Sequence, residues 1–125
     1  MFSNFRRFQV TDPFDRQWDV EFRWLQNAIS IRHSDSVDVK FWLHHAEEKL
    51  ERVIALMHKD LLRLSKEMDR PLSDAWCLKL GALHLAHMVT TWEDMEKTLV
   101  TPSYEDLKRH HLELKQAEEL ASAEA

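Results

Sequence analysis

Two stretches in the first third of the chain alternate strictly between apolar and polar residues, and that period of two restricts the fold more than any other feature. In WDVEFRW, Trp18, Val20, Phe22 and Trp24 alternate with Asp19, Glu21 and Arg23; in VDVKFWL, Val37, Val39, Phe41 and Leu43 alternate with Asp38, Lys40 and Trp42. A strand sends successive side chains to opposite faces, so alternation among aromatic and β-branched residues predicts half-buried strands. Between them, ISIRH offers Ile29 and Ile31 on one parity. TDPFD (residues 11–15), led by Asp12 with Pro13 behind it, reads as a turn, and SDS (residues 34–36) as another. The expectation is an antiparallel meander of RFQV, RQWDVEFRWL, AISIRH and VDVKFWL, with ERVIALM as a fifth strand after the polar HHAEEKL.

Beyond about residue 58 the period becomes helical. DLLRLSKEM predicts a short helix that stops near Pro71, because the residue before a proline avoids the helical region. Ser73 is a good N-cap for a second helix, with Asp74 beside its positive end, expected to run to about Leu99. Thr101, Pro102 and Ser103 interrupt the chain, and Ser103 and Asp106 have capping-box-like spacing for a last helix to about Leu120, with ASAEA as a frayed tail. The prediction is one α+β domain over residues 1–125: strands over about 5–57, then about three helices over 59–120 packed on one face of the sheet. An all-α bundle is the alternative. Leu43, Ala46, Leu50, Val53, Met57 and Leu64 keep a three-four spacing, and a single glycine, Gly81, is few for a hairpin-rich chain.

The chain has 125 residues, 44% hydrophobic, with five Trp, which suits one buried core. Its net charge of −5 provides no general attraction to nucleic acid or anionic lipid. One cysteine, Cys77, forms no internal disulfide, and MFSNFRRFQV lacks the apolar run of a signal peptide. No segment has the length and apolarity of a membrane span. These features point to a soluble, cytoplasmic protein.

Catalytic signatures are absent. No GxSxG elbow, HExxH or CxxC occurs, and one glycine cannot make a phosphate-binding loop. Cys77 falls on a core stripe, which blunts a thiol, although a nearby helix N-terminus would activate it. Glu93, Asp94 and Glu96 spread around a helix as a solvated face. FRRF reads as an edge strand with solvent-facing arginines rather than a base-stacking platform.

Two sets of residues stand out. In HLAHM, His84 and His87 lie three apart on one side of a helix, at the border of its apolar stripe. They could share a transition metal such as zinc if a further ligand came from His33, His44, His45, His58, His110 or His111. His110 and His111 themselves read as one half-buried and one exposed residue. The second set lies on the polar face of the sheet, where Trp42 stands among Asp19, Glu21, Arg23, Arg32, Asp38 and Lys40, with Phe22 and Trp24 on the opposite face. A tryptophan among mixed charges suits an interaction anchor, so Trp42, Arg23 and Lys40 form the candidate interaction surface. The expected function is that of a small non-enzymatic protein that binds itself or another protein, with no cofactor. A metal-binding protein or metal-dependent enzyme using His84 and His87 is the alternative.

Overall fold

The computed structural model describes residues 4–28 and 35–124. Four strands come first: β1 (Arg7–Thr11), β2 (Gln17–Ala28), β3 (Ser36–His45) and β4 (Glu48–Met57). They are followed by α1 (His58–Glu67), α2 (Asp74–Thr91), the two-residue strand β5 (Leu99–Val100) and α3 (Tyr104–Glu124). The sheet order is β1-β2-β3-β4-β5, antiparallel throughout the meander, with β5 parallel to β4. The fold is α+β, as the alternation predicts, and not a helical bundle. HHAEEKLERVIALM forms a hairpin turn and a strand because Ile54 and Leu56 pair with Val39 and Val37 and complete the buried face.

AISIRH does not stand as a separate strand among the described residues. Its first residue, Ala28, ends β2, which pairs directly with β3 as far as Ala28 with Ser36. Residues 29–34, which include the rest of that segment and part of the expected SDS turn, lie outside the described residues.

Turns form here without glycine. The β3–β4 hairpin turns through Ala46 and Glu47, with Ala46 at φ 52°. The β1–β2 turn is built on Asp12, whose Oδ1 accepts from the amides of Phe14 and Arg16, at 2.8 and 3.0 Å. Its Oδ2 accepts from Arg16 Nε at 2.7 Å and Trp18 Nε1 at 3.0 Å. Burial works to raise this carboxyl, but those four hydrogen bonds outweigh it and hold Asp12 at about 2.

Phe8, Trp18, Val20, Val37, Val39, Phe41, Leu43, Ile54 and Leu56 put one face of the sheet into a core shared with α1, α2 and α3. α2 lies against the sheet and under α3, which explains why its burial runs nearly around the helix, from Trp76 to Val89. Both expected caps form. Ser73 Oγ accepts from the Trp76 amide at 3.2 Å. Ser103 and Asp106 exchange reciprocal bonds at 3.3 and 3.1 Å.

Two helix ends differ from expectation. α2 stops at Thr91, not Leu99, and Trp92 turns left-handed at φ 61°. The hydroxyls of Thr90 and Thr91 donate back to the carbonyls of Ala86 and His87, which weakens the last turn. The turn also lets Trp92 pack against Trp18 and Phe14, with the Arg16 guanidinium 4.8 Å from its ring centre. At the other end ASAEA does not fray up to Glu124. Alanine and glutamate favour helix, and a two-pronged Arg70–Glu118 pair at 3.0 and 3.2 Å ties α3 to the α1–α2 connection. No helix among the described residues is long and apolar enough to cross a membrane.

Candidate functional site

With the helices on one side of the sheet, the other face is left uncovered by the described elements. Trp42, Arg23 and Lys40 all lie on it. A β-bulge decides its composition: Phe22 pairs with Phe41 but Trp24 pairs with Lys40, so Arg23 is an extra residue and the parity of β2 shifts. Phe22 stays on the core side, 6.1 Å from the ring of Phe41, as predicted. Trp24 does not. It crosses to the outer face, half-buried, with Lys40 Nζ 5.7 Å from its ring, and Leu25 takes the core parity beside Val39. No residue type in WDVEFRW announces the bulge, so the strict alternation misplaced Trp24.

Trp42 is half-buried, and what covers it are neighbouring strand side chains. The Arg23 guanidinium lies 3.8 Å from its ring centre and Lys49 Nζ 3.2 Å. Lys40 pairs with Glu51 at 2.8 Å, and Glu21 meets Arg23 at 3.3 Å and Arg7 at 3.5 Å. Arg7, Arg23, Lys40 and Lys49 thus face Asp19, Glu21, Asp38 and Glu51, equal in number and opposite in sign. Arg32, expected on this face as well, lies outside the described residues. His44 belongs to the same face, 3.8 Å from Glu21, whereas His45 leans on Trp18.

The histidines of HLAHM meet a third ring that their spacing alone did not identify. His84 is 4% exposed, and its Nδ1 lies 3.0 Å from Nε2 of His110, which is 2% exposed. His87 completes the group, with ring centres 6.0 Å from His84 and 6.1 Å from His110. Burial pushes His84 down to about 4 and His110 to about 3, against the opposing pull of Asp106. Both rings are neutral at pH 7, so their contact is a single shared proton between imidazoles. Nδ1 of His110 is buried and has no partner. His87 turns outward to Glu93, 3.2 Å away. In this arrangement no three His, Cys, Asp or Glu side chains among the described residues already surround a common metal-sized space.

His110 and His111 are both buried, not divided between core and solvent. His111 Nδ1 accepts from Trp76 Nε1 at 3.2 Å, so each histidine finds its own partner on α2. The other proposed ligands are elsewhere: His44 and His45 on β3, His58 at the start of α1, and His33 outside the described residues. The sequence does carry a signal for His110. HHLE places His110 three residues before Glu113, the same step as His84 to His87, and His87, His110 and Glu113 line one recess between α2 and α3. Cys77 is buried, and burial together with Asp74 pushes its thiol up to about 12, so the helix N-terminus loses the contest and no nucleophile results. No family model matches the chain, and no curated protein or solved structure matches it either.

Proposed function

We propose that this protein is a non-enzymatic interaction protein that associates with a second copy of itself through the open face of its sheet. The observation that carries the reading is the composition of that face. It holds two tryptophans, Trp24 and Trp42, under a layer of cations, and its charges balance among the described residues. A chain of net charge −5 repels its own copy at most surfaces, but a neutral face of alternating signs does not, and a two-fold copy can set cation against carboxylate. Trp and Arg are the residue types that most often dominate binding energy once desolvated.

Sedimentation equilibrium over a range of concentrations tests this. A mass that rises with concentration in the wild type and stays monomeric in Trp42→Ala is expected. Circular dichroism of the variant should be unchanged, because Trp42 lies outside the core. A monomeric wild type at every concentration, or association undiminished in Trp42→Ala, would remove the sheet face as the interface.

A further inference from the structure

We propose that His84, His87, His110 and Glu113 form a binding site for a divalent transition metal of the zinc class at the α2–α3 interface. The site lies on the far side of the sheet from Trp42, so it is independent of the association proposed above. Each helix contributes an i, i+3 pair, which places two side chains on neighbouring turns of one face. His87, His110 and Glu113 line a recess of about 530 Å³, and His84 is buried against His110.

The chemistry of the set suits the ion. Three imidazoles and one carboxylate complete a tetrahedral shell, and metal ligation needs histidine in its neutral form. Glu113 makes no hydrogen bond or ion pair among the described residues, so it is free to bind. The nearby carboxylate of Asp106 is not, since it accepts from the Ser103 amide and pairs with Arg109 at 3.0 Å. The ligating nitrogens are the two that already face each other, His84 Nδ1 and His110 Nε2; the other nitrogen of His110, Nδ1, is buried without a partner and takes no part in the shell.

Two adjustments bring the three imidazoles toward a common centre, with Glu113 on the wall of the same recess as the fourth ligand. Ligand atoms around a tetrahedral zinc lie about 3.3 Å apart, given bonds of roughly 2.0–2.1 Å. The His84–His110 nitrogen separation of 3.0 Å therefore opens by only a few tenths of an ångström. His87, whose ring already stands within 6.1 Å of both others, swings from Glu93 toward them. The His87 change is a side-chain rotation at the recess, and the His84–His110 opening takes place between two buried rings.

The test is titration of the full-length, untagged, chelator-treated protein with zinc chloride by calorimetry, with cobalt(II) as a visible probe of geometry. One equivalent of zinc, with cobalt bands of tetrahedral type, is expected. Affinity should fall by about tenfold or more in His87→Gln and in Glu113→Gln, both surface changes that spare the fold. His44→Ala, on the other side of the sheet, should bind as the wild type does. Absence of saturable zinc binding would overturn the proposal. So would zinc binding that survives both variants, or that is lost in only one of them.

Discussion

At Gly81, α2 packs closely on β3. A methyl group there would stand 3.2 Å from Cβ and Cγ2 of Val39, and both residues are buried. Alanine favours a helix over glycine by about 1 kcal/mol, but overpacking a core costs about 1–3 kcal/mol. Because β3 pairs on both sides and cannot yield, overpacking should win. Gly81→Ala is expected to lose about 1 kcal/mol, seen as a lower urea midpoint; an unchanged or raised midpoint would mean that Val39 moves freely. The one glycine is therefore spent on a helix–sheet contact. Positive φ is carried instead by Asp15, Ala46, Asp69, Trp92 and Asp94, of which the aspartates tolerate the left-handed region best. Counting glycines was for this reason a poor guide to hairpins in this chain.

At the scale of elements, the contact between α2 and α3 is the acid-sensitive one. His84 and His110 have folded pKa values of about 4 and about 3, below the ordinary 6.5, because burial disfavours their charged forms. The unfolded chain therefore takes up protons that the folded chain refuses. Their effect on stability is absent above about pH 6.5, and stability falls as pH drops from there toward 4 and then 3. The slope approaches about 1.4 kcal/mol per pH unit for each histidine. Asp12, held at about 2, adds its own loss only below its ordinary 3.8, at the acid end of the histidine window and outside the range from pH 7 to pH 4. Urea midpoints measured between pH 7 and pH 4 should decline in the wild type and decline less in His84→Gln. Equal slopes would show that another group sets the acid limb. The caps at Ser73 and Ser103 were legible because capping is a local pattern. The end of α2 at Thr91 was not, since Trp92 turns to reach Trp18 and Arg16 on a distant turn.

For the whole molecule, the strands and helices share one core: Trp18 from β2, Phe41 from β3, Ile54 from β4, Leu64 from α1, Leu85 from α2 and Leu107 from α3 are all fully buried. The chain should unfold as a single unit. Tryptophan fluorescence, which reports on all five tryptophans with Trp18 and Trp76 in the core, and far-ultraviolet circular dichroism should give coincident urea transitions. Two separated transitions would mean that the meander and the helices fold independently. The open sheet face and the α2–α3 recess are properties of this scale too. Each joins residues far apart in sequence, such as Arg23 with Trp42 and His84 with His110.

The strand-then-helix order, the buried parity of β3, the capped starts of α2 and α3, and the gathering of Trp42, Arg23 and Lys40 on one face are written in the order of the residues. All of these follow from side-chain periodicity or from hydrogen bonds a few residues long. The bulge that turns Trp24 outward, the parallel strand β5, the stop of α2 at Thr91 and the burial of both His110 and His111 arise from packing. Each of those is fixed by a partner distant in the chain, Lys40, Val53, Trp18, His84 and Trp76 among them, and no local pattern encodes the identity of such a partner.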